Sequence, residues 1–328
     1  MTSEQKNTIR LSPTERGVRA GAYLLGEGEV VAFPTETVYG LGADARNPKA
    51  VARIYAAKGR PSYNPLIVHV ADLAAARALV EMPPLALSLA NAFWPGPLTL
   101  VLPAIGGTVA DAVRAGLPTL AVRVPAHPLA QALIRATGAP LAAPSANPSG
   151  HISPTTADHV MDALGGKIAA VLDDGPCAVG VESTIVGFQD RTPVLLRPGG
   201  VPLDALTAKC GVPILAKGAG GEVSAPGQLA SHYAPRLPMR LNATRPEGRE
   251  LWLAFGALGG YRGLTLSETK DLNEAAANLF AHMHRLDEVG AELGATGIAV
   301  ASVPAEGLGL AINDRLSRAA ADRPAQEA

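Results

Sequence analysis

Between residues 12 and 196 the chain alternates short apolar runs, rich in Val, Ile and Leu, with stretches whose apolar residues return every three or four positions. Gly- and Pro-rich loops separate nearly every pair. This alternation restricts the fold most. Runs as apolar as LIVHV and LTLVL must be covered on both faces, and intervening helices are what covers them, so the pattern predicts helices packed on a sheet. Strands are expected at residues 30–33, 66–70, 98–102, 120–124 and 141–143. Helices are expected at 48–57, after Asp72, at 127–137 and from Thr156. Ser12, Pro13 and Glu15 spell a capping box with proline at the first helical position, followed by Val18, Ala22 and Leu25 on one face before Gly26. Three later strands, at 169–172, 184–188 and 194–196, follow one another without helices, so the sheet is expected to be mixed rather than purely parallel.

At 328 residues the chain is long for one core. The texture changes near residue 210, where GAGGEVSAPGQLASHYAPRLP shows no sustained period and reads as a linker or long ordered loop. Beyond it, strands at 251–255 and 298–301 flank a helix carrying Leu272, Ala276, Leu279, Met283 and Leu286 at helical spacing. The expected organisation is a first α/β domain over 1–210, a linker or lid over 211–240, and a small α/β domain over 241–328. With 48% hydrophobic and 17% charged residues the composition is that of a soluble globular protein. MTSEQKNTIR has no apolar stretch behind a basic one, and no run of about 18 apolar residues occurs, so a cytoplasmic protein is expected. A formal net charge of −1 argues against tight binding to a nucleic-acid backbone. Cys177 and Cys210 form no CxxC pair, which supports neither a disulfide framework nor a cysteine zinc site.

The signatures G-x-S-x-G, G-x-x-x-x-G-K-[ST], H-E-x-x-H and a strand-to-helix G-x-G-x-x-G are missing, which weakens serine-hydrolase, P-loop, zinc-protease and dinucleotide readings. Five loops after strands carry the chemistry instead. PTETVYGLGADA brings Thr35, Thr37 and Tyr39 beside Glu36. KGRPSYNPL places Lys58 and Arg60 two apart, either for an anion or to complement a helix dipole, with Asn64 before a proline. His69 sits in an apolar strand, as a core histidine or a ligand. Arg123, in another apolar strand, must pair with a protein carboxylate or await an anionic ligand. APSANPSGHISPT crowds Ser145, Asn147, Ser149 and Ser153 around prolines. GVESTIVGF and LLRPGG add Ser183, Thr184 and Arg197. Together they describe a site for an oxygen-rich anion.

In this order, PTETVYGLGADA, KGRPSYNPLIVHV, FWPGPLTLVL, APSANPSGHISPTT, VESTIV and LRPGG resemble the YrdC-like family of threonylcarbamoyl-AMP synthases. SAPGQLASHYAP and GLGLAINDRLSRAA resemble its longer, two-domain form. The resemblance implies a YrdC-like twisted mixed open sheet flanked by helices, with a second, smaller Rossmann-like domain. It implies a nucleotidyltransferase that makes L-threonylcarbamoyladenylate from L-threonine, bicarbonate and ATP for tRNA modification beside the anticodon. Carried over by position, it implies catalytic roles for Lys58, Arg60, Ser145 and Asn147. Arg60, Asn64, Thr119, Ser145, Ser153, Arg197 and Tyr233 are then expected around ATP, and Thr37, His69, Arg123, Ala143 and Ser183 around threonine. No protein metal site is implied, and Mg²⁺ is expected through the ATP phosphates. The downstream partner is a tRNA threonylcarbamoyl-transferase machinery. On this reading SAPGQLASHYAP folds over the nucleotide with His232 and Tyr233 inward. Lys58→Ala and Arg60→Ala are expected to abolish synthesis without unfolding. The alternatives are the carbamoyl-adenylating module of hydrogenase maturation, for which the cysteines are too few, and a non-enzymatic RNA-binding module.

Overall fold

The structure, a computed structural model, describes residues 7–216 and 231–321. Most of the lid expected over SAPGQLASHYAP therefore lies outside the described residues, and its last part, from Ser231, lies within them. In chain order the larger unit has strands β1 (Ile9–Leu11), β2 (Val31–Phe33), β3 (Gly40–Asp44), β4 (Ile67–His69), β5 (Leu98–Pro103) and β6 (Thr119–Arg123). They are followed by β7 (Leu141–Ala142), β8 (Ala170–Leu172), β9 (Thr184–Gln189), β10 (Thr192–Arg197) and β11 (Leu215–Ala216). Among the described residues they form one mixed sheet in the order β1-β8-β2-β3-β7-β4-β6-β5-β9-β10-β11. Its helices are α1 (Glu15–Gly26), α2 (Pro48–Lys58), α3 (Leu73–Arg77), α4 (Pro84–Phe93), α5 (Asp111–Arg114), α6 (Pro128–Thr137), α7 (Ala157–Leu164) and α8 (Leu203–Cys210). The expected α/β class with a mixed open sheet is what is found.

Two local readings need correction. The capping residue of α1 is Thr14, whose side chain accepts from the Gly17 amide, and not Ser12; Ser12 instead shares a hydroxyl contact with Thr14. The stretch GLGAD, expected as loop, is β3, a buried strand paired antiparallel with β2 and β7. Two glycines and an aspartate carry little intrinsic strand preference, so partners on both sides decide.

The smaller unit has strands β12 (Met239–Ala243), β13 (Leu251–Ala254), β14 (Gly263–Thr265) and β15 (Ile298–Ala301), with helices α9 (Leu272–Leu293) and α10 (Gly309–Ala320). Its strands run parallel in the order β12-β15-β13-β14. Leu279, Phe280, Met283 and Leu286 of α9 and Ile312 and Leu316 of α10 share its core. That same core takes in Val38, Ile152 and Val181 from the larger unit, so the two units are joined by apolar packing. Among the described residues no helix is long and apolar enough to cross a membrane.

The central strands prepare the site. Successive side chains point to opposite faces, so Val68, Leu100, Val122 and Val186 enter the main core while Ile67, Val101, Ala121 and Ile185 form a small apolar strip on the other face. In the β4–β6 register Ile67 faces Ala121 and His69 faces Arg123. Thr119, Ala121 and Arg123 therefore share the face that carries the strip, Thr119 lying roughly 13 Å along the strand from Arg123.

Candidate active site

A cleft opens over the end of this strip. It is lined by Thr35, Thr37, Val38, Gly40, Arg60, Ile67, His69, Arg123, Ala143, Pro144, Ser145, Glu182, Ser183, Arg197, His232 and Tyr233. Eleven residues expected at the site from the sequence are thus gathered: Thr35, Thr37, Arg60, His69, Arg123, Ala143, Ser145, Ser183, Arg197, His232 and Tyr233. Lys58, Asn64, Thr119, Asn147 and Ser153 do not line it.

The K-x-R spacing acts through the glycine between the two cations. Asn47 caps α2 on the Lys49 and Ala50 amides, Pro48 opens its first turn, and Gly59 ends it in the left-handed region at φ +58. That reversal sends Lys58 and Arg60 in different directions. Lys58 is buried, its Nζ donating to Ser145 O at 2.6 Å and to Asn147 O, with desolvation and the nearby Arg60 charge holding its pKa well below the usual lysine value. Its amine thus faces the S-x-N loop and holds two of its carbonyls. Arg60 turns to the cleft, its Nε and Nη2 resting on Asn64 O and Pro65 O at 3.1 and 2.8 Å. Burial lowers its pKa to about 10, which leaves it charged at neutral pH.

The S-x-N loop is fixed from several sides. Leu41 N donates to Pro144 O, Ala146 N to Tyr39 O and Ser149 N to Lys58 O. The Asn147 amide shapes its own turn, its Nδ2 donating to Pro148 O and His151 O at 2.8 and 2.9 Å. Ser145, half-buried, is the member of the pair that reaches the cleft.

Arg123 has the protein carboxylate partner that its place in an apolar strand calls for. Nη2 donates to Glu36 Oε1 at 2.6 Å, Nη1 to Thr37 Oγ1 at 2.9 Å and Nε to Gly96 O at 3.2 Å. A guanidinium has five N–H donors, so one on each terminal nitrogen stays available to a carboxylate. Beside it His69 is buried, with Nδ1 unpartnered and its pKa lowered to about 3, by desolvation first and the Arg123 charge second. The ring is neutral across the physiological range and able to take part in a hydrogen bond with a small polar ligand. Ser183 Oγ shares a 2.7 Å hydrogen bond with Thr99 Oγ1, and Arg197 reaches Ser183 O and Oγ from the other side. A bulge between Leu195 and Arg197 re-aims Arg197 across β9.

Outside the cleft, Asn64 is fully buried with both amide atoms unpartnered, a configuration that calls for a ligand or a water. Ser153 donates to Glu182 Oε1 at 2.5 Å. The end of the linker lies against the site: Ala234 N donates to Gly150 O, His232 N to Arg318 O, and Tyr233 is buried at φ +64. Glu182, Thr99 and Arg315 were not singled out in the sequence. Glu182 sat within VESTIV and Arg315 within GLGLAINDRLSRAA, both without an assigned role.

Glu182 in the cleft accepts from Ser153 and an arginine described below, and Glu36, the partner of Arg123, also accepts from the Ala126 amide. No cluster of three metal-ligating side chains occurs among the described residues. The arrangement suits an anion flanked by arginines beside a smaller ligand with its own carboxylate.

Comparison with known proteins agrees in extent. The family model described as Telomere recombination matches residues 23–199, and one described as Threonylcarbamoyl-AMP synthase, C-terminal domain, matches residues 201–321. The chain is 43% identical to the threonylcarbamoyl-AMP synthase of Bacillus subtilis, covering 96% of both chains. It is 41% identical to the enzyme of that name from Pyrococcus abyssi, covering 96% of this chain and 97% of that one. The crystal structure of P. abyssi Sua5 complexed with L-threonine superposes with a TM-score of 0.87 at 39% identity, over 95% of this chain and 97% of that one.

Proposed function

The chain belongs to the threonylcarbamoyl-AMP synthase family, and from that premise we propose that its cleft lays three substrates along one face of the central strands. The protein is an enzyme that joins L-threonine, bicarbonate and ATP into L-threonylcarbamoyladenylate, with release of pyrophosphate and water, for the threonylcarbamoyl modification of tRNA beside the anticodon. The threonine carboxylate takes the two remaining N–H groups of Arg123. The hydroxyl meets neutral His69 and Thr37, and the amine lies towards Ser183 and Ala143. A site that hydrogen-bonds a substrate hydroxyl rejects analogues lacking it, by up to about ten-thousandfold in favourable cases.

The chemistry follows from charge. The amine nitrogen bonds to the bicarbonate carbon with loss of water, and a carbamate oxygen then attacks the α-phosphorus as the bond to pyrophosphate breaks. Its nucleophile is already anionic, so positioning and charge neutralisation matter more than a general base. Arg60 and Arg197 flank the triphosphate, Ser145 and the S-x-N backbone border the α-phosphate, and the strip from Ile67 to Ala121 carries the nucleoside towards Asn64 and Thr119. Mg²⁺ enters with ATP: both carboxylates are held by protein donors, so phosphate oxygens and water would supply its ligands. His232 and Tyr233 cover the cleft, which limits hydrolysis of the adenylate. The product then passes to the tRNA threonylcarbamoyl-transferase machinery.

One observation supports this reading most: Arg123 and His69, partners across two paired strands, face the cleft that also receives Arg60 and Arg197. The test is pyrophosphate release from ATP. Release is expected only when threonine and bicarbonate are both supplied. Release that ignores either one contradicts the proposal.

A further inference from the structure

One side chain of the smaller unit bonds directly to a residue of the cleft wall. Arg315 lies in the middle of α10, yet it is 0% exposed. Its Nε donates to Glu182 Oε2 at 2.6 Å, its Nη2 to Pro198 O at 3.0 Å, and its Nη1 to Asp314 of the same helix. The guanidinium carbon stands 5.2 Å from the centre of the Tyr233 ring, whose other neighbours include Phe280 of α9. One residue of α10 thus touches the loop before β9, the turn after β10 and the end of the linker.

Glu182 is the centre of this cluster. It lines the cleft, and its second oxygen accepts from Ser153 at 2.5 Å. Burial alone would raise its pKa, but Arg315 first and Arg197 second reverse the effect and hold it at about 2. A full negative charge therefore sits at the wall of a cleft whose ligand is itself anionic. The charge is tolerable there because a buried cation is bonded to it.

We propose that Arg315 is a positioning residue for the nucleotide: by neutralising Glu182 and bracing Tyr233 it keeps the phosphate side of the cleft electropositive, so the second unit completes the ATP site. The proposal rests on the reading of the cleft as an ATP site. Without Arg315, the Glu182 carboxylate either repels the triphosphate or draws nearby arginines onto itself. Both outcomes weaken ATP binding. The threonine side is spared, because Arg123 has its own carboxylate partner in Glu36.

The test uses the full chain. Arg315→Met is expected to raise the KM for ATP by at least about tenfold while the KM for L-threonine stays within about twofold. Adding Glu182→Gln removes the stranded charge and is expected to return the KM for ATP to within about threefold of the parent. A role confined to docking the two units predicts no such recovery, since an amide at position 182 restores none of the lost Arg315 contacts. A double variant no better than Arg315→Met, or equal losses for threonine and ATP, overturns the proposal. If Arg315→Met alone does not fold, a folded and ATP-dependent double variant supports the proposal, and an unfolded one overturns it. Absence of threonine- and bicarbonate-dependent pyrophosphate release in the unsubstituted protein would instead overturn the reading of the site.

Discussion

Lys58→Ala lowers synthesis by at least about a hundredfold and lowers thermal stability with it. The physical reason is the S-x-N loop. Lys58 Nζ holds the carbonyls of Ser145 and Asn147 from inside the protein. Removing the amine leaves two buried acceptors without a donor, at about 1–3 kcal/mol each, and opens a cavity along the lost side chain. The loop then shifts, and Ser145 with the adjacent backbone moves away from the reacting phosphate. A misplacement of about 1 Å is enough for a loss of about a hundredfold. Pyrophosphate release and thermal unfolding measured on the same preparation check both halves. Full activity contradicts the account, and lost activity at unchanged stability would return Lys58 to the phosphates. To the expectation from sequence that Lys58→Ala acts without unfolding the protein, its burial adds a loss of stability.

Arg123→Gln separates the two small substrates. Its fork is tied to Glu36 and Thr37 on one side, leaving two N–H groups for the threonine carboxylate. Two charge-assisted hydrogen bonds are worth about 3 kcal/mol or more together, so threonine affinity is expected to fall by at least about a hundredfold. ATP affinity changes little, since Arg60 and Arg197 remain. The same substitution strands the Glu36 carboxylate, which costs stability on the order of 3–5 kcal/mol if no other donor moves in. Separate equilibrium titrations of threonine and ATP decide the point. Unchanged threonine affinity, or equal loss of both, would contradict the placement of threonine at Arg123.

Much of this site was legible before the fold, and the reasons differ by residue. Arg123 and His69 stood out because a charge and an imidazole inside apolar strands require an explanation, and strand pairing then put them side by side. Arg197 was legible as a residue type, but the bulge that turns it into the cleft depends on β9 and is not written locally. The K-x-R pair was legible as two cations, but the division between them was not, because it depends on the left-handed Gly59 that follows Lys58. In the fold, strands with Val, Ile and Leu declared themselves, whereas β3 becomes a strand through its neighbours alone. Arg315 was invisible for a related reason. A mid-helix arginine is ordinarily a solvated residue, and only the packing of α10 against the larger unit turns it inward onto Glu182.

The central claim is that threonine and ATP lie along one face of β4 and β6, joined where Arg60, Arg197 and Ser145 converge. A crystal structure of this protein with L-threonine and a non-hydrolysable ATP analogue tests it most directly. The expected result places the threonine carboxylate on Arg123, the triphosphate between Arg60 and Arg197, and the nucleoside over Ile67 and Ala121 towards Thr119. A nucleotide bound on the opposite face of the sheet, or a threonine away from Arg123, would contradict it.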